Sequence, residues 1–474
     1  MADFDVVVIG GGWGGYTAAV RAAQQGLRGA LIERDKLGGA CLHRGCIPTK
    51  VLLETAELLN ISARGADYGL KLGEPGLDYA RVLQRKGEVV GQLYRGLQQL
   101  VKASGTTMIE GDARLTGANM VEVRERTGKT SRLETTAIVI ATGSRPKPLP
   151  GVKTDGHTVL DSDQLLERDR VPDSMLILGA GAVGVEFASC FADYGTKVTI
   201  VEMLPRILPT EDADVSTALT RSLTKRGIRI ETGVSAKLET IRTGEGGASL
   251  EIEREGKRET LTGECLLVAV GREALTSGIG LEELGVHLER GFVAVNDSMR
   301  SSVPTIYGVG DCNGRLMLAH VAAAQGVLAA DEIAGKASPS VDFDRLPRVT
   351  FCRPQVASVG LTEEQARETG RPIRAARTYL RANGKALING EPDGFVKVVL
   401  DESNGDLLGV HMLGDGVTEL IAAASLARFL DASVEEFGLN VYPHPTLSEL
   451  LGDAAHAALR PPPRKEGARQ GAGR

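Results

Sequence analysis

Hydrophobic positions in this chain gather into short continuous runs that end in glycine. Asp5 to Ile9 is one such run, followed by Gly10, Gly12 and Gly15 in G-x-G-x-x-G spacing, a small-residue helix from Tyr16 to Gln25, and a second strand from Gly29 to Glu33. The same order returns downstream: a strand over Met175 to Leu178, then Gly179, Gly181 and Gly184, a helix over Val185 to Tyr194, and a strand over Lys197 to Glu202. In both copies the closing acid stands 23 residues after the first glycine. Uninterrupted apolar runs of this length read as strands buried on both faces of a parallel sheet. Further runs end in glycine turns at Ala137 to Arg145, Leu266 to Arg272 and Thr305 to Asp311, as strands of a doubly wound sheet do where they meet a ligand.

The spacing of the glycines carries a physical meaning. The first permits a tight turn, the second lets a pyrophosphate approach the backbone, and the third lets helix and strand pack closely. The helix N-terminus then offers unpaired N–H groups to the phosphates, and the acid can accept hydrogen bonds from ribose hydroxyls, the role expected of Glu33 and Glu202. One copy alone is a weak signal; two copies with strand, helix and acid in place imply two dinucleotide sites. From Arg348 onward the pattern changes to short alternating strands (Gly394 to Leu400, Leu407 to Met412) and amphipathic helices (Glu419 to Phe429), which reads as a separate α+β domain. The run Pro461 to Arg474 is rich in Pro, Gly and Arg and is expected to be disordered.

Composition narrows the picture. A chain of 474 residues, 42% hydrophobic, is long enough for several domains. Its 55 basic against 61 acidic residues, net −6, give no electrostatic case for nucleic acid or an anionic membrane as partner. No window approaches the roughly 18–20 apolar residues of a membrane span, and the start Met1-Ala2-Asp3-Phe4-Asp5 is acidic where a targeting peptide is basic. The expectation is a soluble, cytoplasmic protein. Six cysteines are too few for a secreted disulfide scaffold, and Cys190, Cys265, Cys312 and Cys352 are scattered singly.

The other two stand close together, in Gly38-Gly-Ala-Cys41-Leu-His43-Arg44-Gly45-Cys46-Ile-Pro48-Thr-Lys50. Residues five apart on a regular helix rise about 7.5 Å, beyond the roughly 4.4–6.8 Å a disulfide spans, so a bond here needs distorted backbone, for which Gly45 and Pro48 are suited. A helix is expected from about Pro48 to Leu59, leaving Cys46 near its N-terminus, where the dipole favours a thiolate. Three other readings remain open on these residues alone: zinc ligands with His43, inert buried thiols, or a static disulfide. Far downstream, Tyr442-Pro443-His444-Pro445-Thr446-Leu447-Ser448-Glu449 stiffens the chain around a histidine and places a carboxylate where it can orient the ring, an arrangement suited to a general base.

The runs GGACLHRGCIPTK and HPTLSE, the ATGSRP, VGR and GVGD turns, and VASVGLTEEQA (Val356 to Ala366) together resemble the pyridine nucleotide-disulfide oxidoreductase family. The CxxxxCIPTK form resembles its dihydrolipoamide dehydrogenase branch. The resemblance implies an α/β fold of two Rossmann-like dinucleotide-binding domains, for FAD and NAD, with a C-terminal α+β dimerisation domain. The boundaries expected are 1–150 for the FAD domain, 151–271 for the NAD domain, 272–346 for a return to the FAD domain, 347–460 for the interface domain and 461–474 for the tail.

The resemblance also implies that Gly10, Gly12, Gly15 and Glu33 hold FAD, with Asp311 bonding its ribityl chain, that Gly179, Gly181, Gly184 and Glu202 hold the nicotinamide dinucleotide, and that Thr142, Gly143, Gly271 and Arg272 are further cofactor-binding residues. Lys50 and Glu186 match an ion pair beside the flavin. Cys46 matches the thiol that touches the flavin, Cys41 the one that exchanges with substrate, and His444 with Glu449 the base and its orienter, contributed in the family by the second protomer of a homodimer. The implied activity is reoxidation of dihydrolipoamide carried on the lipoyl-bearing acyltransferase of a 2-oxo acid or acetoin dehydrogenase complex, with NAD as acceptor and no metal. A glutathione- or mercuric-reductase-like activity is the alternative, opposed by Glu202 and by the absence of cysteine after Cys352. A nucleotide-binding regulator without turnover is opposed by the intact Cys41, Cys46, His444 and Glu449. Ala40, His43-Arg44 and Tyr442-Pro443 depart from the family's commoner Thr, Asn-Val and His-Ala, which leaves room for a specialised branch.

Overall fold

The computed structural model describes residues 2–460, so the disorder expected of Pro461 to Arg474 falls outside the described residues. The chain divides into two compact units, one of residues up to 209 together with 223–343, the other of 210–222 together with the chain from 344 on.

In the first unit, β1 (Phe4–Ile9), α1 (Trp13–Gln24), β2 (Gly29–Glu33), α2 (Gly39–Arg44), α3 (Cys46–Ala63), α4 (Tyr79–Ala103), β3 (Thr107–Gly117), β4 (Met120–Glu125) and β5 (Thr130–Ile140) follow in order. β1 lies between β2 and β5, all parallel, with β3 beyond β2 and the strand Ile306–Gly308 beyond β5. Both neighbours and both faces of β1 are covered, and Val6, Val7 and Val8 are buried completely or nearly so. Each such side chain contributes roughly 1.5–3 kcal/mol. β3 and β5 outrun the parallel sheet and continue as an antiparallel meander through β4. α1 packs against the helix Ala319–Ile333 so closely that a Cβ on Gly326 would stand 2.4 Å from the carbonyl oxygen of Gly14.

The second sheet is built on Ser174–Leu178, flanked in parallel by Lys197–Val201 and Cys265–Val268, with Arg229–Glu231 and Val159–Leu160 at its edges. The helices after the two glycine turns begin at Trp13 and Ala182, three residues before the expected starts at Tyr16 and Val185. The third glycine of each turn belongs to the first helical turn, because close packing outweighs glycine's poor helix propensity.

In the second unit, an antiparallel sheet runs Arg348–Thr350, Gln355–Gly360, Leu407–Gly414, Phe395–Asp401, Ile373–Tyr379. The expectation of alternating strands is corrected here, since every residue of Phe395–Asp401 and Leu407–Gly414 is buried. On one face Val396, Val398, Val410 and Met412 pack with Val417, Ile421, Leu451 and Ala455 of the helices Val417–Phe429 and Glu449–Leu459. The other face carries polar residues that are equally buried: Ser358, His411 and Lys397 stand opposite one another in cross-strand register. Lys397 Nζ lies 2.8 Å from Asp212, 2.7 Å from Asp214 and 2.7 Å from Glu363. The helix Val417–Phe429 is likewise not amphipathic: Ile421 and Ala424 are buried while Leu426 and Phe429 on its opposite side are more than half exposed. Among the described residues no helix is long and apolar enough to cross a membrane.

Candidate active site

The two glycine turns meet their steric demands in the same way. A Cβ on Gly10 would stand 2.3 Å from the carbonyl oxygen of Ala141, and one on Gly15 1.8 Å from that of Gly10. In the second turn, a Cβ on Gly179 would lie 2.4 Å from the oxygen of Ala269, and one on Gly184 2.1 Å from that of Gly179. The middle glycines differ. A Cβ on Gly181 would meet nothing within 4 Å, and one on Gly12 only Gly39 Cα at 3.9 Å. The fold does not need glycine at these two places, whereas a pyrophosphate lying on the helix N-terminus does. The residues therefore fit two dinucleotides.

Both acids are held in matching fashion. Glu33 accepts from the backbone N–H of Gly11 at 2.6 Å and of Asp35 at 2.7 Å; Glu202 accepts from Ala180 at 2.8 Å and Leu204 at 2.8 Å. Each carboxylate is thus fixed at the rim of its own turn with lone pairs left for ribose hydroxyls. Met203 and Leu204, next to Glu202, are exposed and apolar. They offer no charge to a 2′-phosphate.

At the end of β5, the Thr142 hydroxyl is buried without a partner, a donor left for a ligand, and Gly143 (φ +72) is open around its Cα. Asp311 accepts from the Ser144 hydroxyl, which in turn takes Arg272 Nε at 2.7 Å. Arg272 Nε lies 3.8 Å from Asp311. Asp311, Ser144 and Arg272 therefore form one chain, with Gly271 (φ +110) just ahead of it, open around its Cα. The GVGD turn is fastened by Gln325, whose carbonyl accepts from Gly310 N at 2.7 Å and from Asn313 at 2.9 Å.

The cysteine segment is two helices broken at Gly45 (φ −146, ψ −112), which caps both α2 and α3. A Cβ there would stand 3.1 Å from the Ala40 carbonyl oxygen. The break folds α2 back so that Cys41 and Cys46 come within hydrogen-bonding reach as two free thiols. Cys46 opens α3, two residues earlier than the expected helix start, and Pro48 sits within that first turn. The sulfurs are unequal. The Cys41 thiol donates to Cys46, and this donation, aided by the Lys50 ammonium, brings Cys46 down to about 7 against the opposing effect of burial. The same hydrogen bond, reinforced by burial, pushes the Cys41 thiol up. Lys50 Nζ pairs with both oxygens of the buried Glu186, at 2.9 and 2.8 Å. His43 turns to the Leu37 carbonyl oxygen at 2.7 Å and lies edge-on to Tyr94, so it is not a partner of the two sulfurs.

In the second unit, His444 Nδ1 lies 2.8 Å from Glu449 Oε1, and Glu449 Oε2 accepts from Thr446 N at 2.9 Å. These two contacts, the backbone one first, hold the Glu449 carboxyl below the usual carboxylate range. A carboxylate only accepts, so Nδ1 carries the proton and Nε2 is left as acceptor. The His444 side chain is 79% exposed, and Nε2 is open to an approaching group.

The structure thus brings Cys41 to Cys46, Lys50 to Glu186, His444 to Glu449, and Asp311 to Arg272 through Ser144. Ser144 and Gln325 escaped the sequence reading. Ser144 directly follows the Thr142-Gly143 turn and could have been found there, whereas nothing in the sequence marks Gln325.

Residues 4–326 match the family model described as pyridine nucleotide-disulphide oxidoreductase, and residues 346–455 match that family's dimerisation domain, which supports a homodimer. The dihydrolipoyl dehydrogenase of Bacillus subtilis is 41% identical over 96% of this chain and 98% of its own length. Those of Zymomonas mobilis and Mycobacterium tuberculosis (strain H37Rv) are each 42% identical over 97% of this chain and 98% and 99% of theirs. Among solved structures, LpdA from Mycobacterium tuberculosis superposes with a TM-score of 0.88 at 28% identity, covering 95% of this chain and 99% of its own. The HOCl-induced flavoprotein disulfide reductase RclA from Escherichia coli does so with 0.83 at 29% identity and the same coverage.

Proposed function

The chain belongs to the pyridine nucleotide-disulphide oxidoreductase family, and from that membership we propose that it acts as a dihydrolipoyl dehydrogenase, using FAD and NAD, and serves the lipoyl-bearing acyltransferase of a 2-oxo acid or acetoin dehydrogenase complex. What carries the reading is the inequality of the two sulfurs, a Cys41 thiol donating to a Cys46 with thiolate character at the start of α3. That is the state a dithiol substrate leaves behind.

In the oxidised protein Cys41 and Cys46 share a disulfide. His444 Nε2, contributed by the second protomer, takes a proton from one thiol of dihydrolipoamide, and the resulting thiolate attacks Cys41 Sγ. The Cys41–Cys46 bond breaks, a mixed disulfide forms on Cys41, and Cys46 leaves as a thiolate stabilised by Lys50 and by the helix N-terminus. The second substrate thiol, deprotonated in turn, attacks its own sulfur in the mixed disulfide; lipoamide departs, and Cys41 is protonated and again donates to Cys46. FAD, held by Gly10, Gly12, Gly15, Glu33, Thr142, Gly143 and Asp311, supplies the two-electron path from this dithiol to NAD. Lys50, fixed by Glu186, keeps a positive charge near Cys46. Gly179, Gly181, Gly184 and Glu202 hold NAD, with Gly271 and Arg272 at the same strand ends.

The test is a steady-state assay with dihydrolipoamide and glutathione as electron donors and NAD and NADP as acceptors. Turnover with dihydrolipoamide and NAD, lost in Cys41→Ser and Cys46→Ser, is the expected result. Preference for glutathione, or turnover that survives both substitutions, overturns the reading.

A further inference from the structure

Trp13 is the only tryptophan in the chain, and it occupies an unexpected place, inside the first glycine turn at the opening residue of α1. Trp13 and Tyr16 are three apart on one face of the helix, and their rings pack at 5.7 Å between centroids, tilted by 55°. The end of α1 that carries them abuts the redox segment. Gly39, the first residue of α2, touches Gly12 so closely that a Cβ on it would stand 2.9 Å from Gly12 Cα, and Cys41 follows two residues later. Tyr16 lies within electrostatic range of Cys41. Neither ring is fully buried.

A partly buried indole packed on a tyrosine, at the end of α1 that meets the cysteine segment, offers a flat apolar surface with a polar rim. Dihydrolipoamide carries its two thiols on one end of an aliphatic arm. That arm needs cover when the sulfur reaches Cys41. We propose that Trp13, backed by Tyr16, forms the wall against which the aliphatic arm of the dithiol lies, making Trp13 a specificity-determining residue for long-armed dithiols over short ones. The inference rests on the dithiol reading given above and deepens it.

The test compares the wild-type holoenzyme with Trp13→Ala and Trp13→Phe, using dihydrolipoamide and the armless dithiol dithiothreitol, each with NAD. In Trp13→Ala, KM for dihydrolipoamide should rise about tenfold, the loss expected when roughly two methylenes lose their cover, while kcat/KM for dithiothreitol, KM for NAD and FAD content stay at wild-type values. Trp13→Phe should recover most of the loss. Equal effects on both dithiols, no effect on either, or loss of FAD from Trp13→Ala would overturn the inference, the last by assigning Trp13 to the flavin dinucleotide. If the wild type itself fails to oxidise dihydrolipoamide, the proposed function fails and takes this inference with it. That outcome is distinct from an active wild type whose Trp13→Ala variant is unselective.

Discussion

Gly181→Ala separates what the second glycine turn does for the fold from what it does for a ligand. Gly181 stands at φ −71, ψ −179, a conformation alanine adopts freely, and its added Cβ would meet nothing within 4 Å. As an N-cap, alanine costs about 0.5–1 kcal/mol relative to glycine; the stiffer unfolded chain returns about 0.4–1 kcal/mol. The two nearly cancel, so the melting temperature should stay within a few degrees of wild type. The nicotinamide dinucleotide should fare differently. On the proposed function the methyl group would stand where a pyrophosphate approaches the backbone, and each charge-assisted hydrogen bond lost is worth about 1.5–3 kcal/mol. KM for NAD should therefore rise at least about tenfold, with FAD content unchanged. Gly184→Ala is the control, since its Cβ would lie 2.1 Å from the Gly179 carbonyl oxygen and should damage the fold itself. The assay is steady-state turnover against NAD concentration, beside thermal melting of both variants. An unchanged KM for Gly181→Ala, or a loss of stability matching that of Gly184→Ala, would refute the reasoning.

Other expectations follow from the sulfurs, the base and the buried ion cluster. In the reduced protein, the pH profile of Cys46 alkylation by iodoacetamide should have its midpoint near 7 and move to higher pH in Cys41→Ala, which removes the donated hydrogen bond; an unmoved midpoint counts against the pairing. His444→Gln should lower dihydrolipoamide turnover by about 10²–10⁴-fold while leaving FAD bound, and Glu449→Gln should lower it less; wild-type turnover in His444→Gln removes the base assignment. Lys397→Met leaves Asp212, Asp214 and Glu363 without their shared cation and should cost about 3–5 kcal/mol at neutral pH. Burial pushes the Asp212 and Glu363 carboxyls up, but the hydrogen bonds from Lys397 and the other partners outweigh it and hold both below their ordinary values. Their contribution is fully present above the ordinary carboxylate range and is lost as pH falls below it, through their lowered values, whereas in the variant the fall in pH relieves repulsion. The gap between the two melting curves should therefore narrow as pH falls through about 4, the ordinary carboxylate value, and go on closing below it; a constant gap would count against the cluster.

Much of the first unit was legible because its signals are local. An apolar run, three glycines at fixed spacing and an acid at the strand's end are all decided within about two dozen residues, and Gly10 to Glu33 and Gly179 to Glu202 take the matching structures their matching patterns imply. The second unit was harder. Phe395–Asp401 and Leu407–Gly414 read as alternating strands because Lys397 and His411 interrupt the apolar pattern, and polar residues at alternate positions ordinarily face water. Here they face a second buried layer. The carboxylates of that layer, Asp212 and Asp214, lie 185 and 183 residues upstream of Lys397, a separation no local pattern encodes. The apolar outer side of Val417–Phe429 misled in the opposite sense, since Leu426 and Phe429 stay exposed in one chain of a protein that carries a dimerisation domain.

By itself the sequence determined the two glycine turns, the close pair Cys41 and Cys46, and the family. These depend on residue type and short spacing, which the chain carries whatever its distant parts do. The helix start already set Cys46 apart from Cys41 in the sequence, but only the tertiary structure supplied the contacts behind that inequality, the break at Gly45 that folds α2 onto α3 and Lys50 held beside Cys46 with Glu186, from 136 residues away. It also showed which glycines the fold requires sterically and which it does not. The spacing already set the middle glycine of each turn apart from the third; the structure adds the steric reason, carbonyl oxygens crowding Gly15 and Gly184 against open space before Gly12 and Gly181.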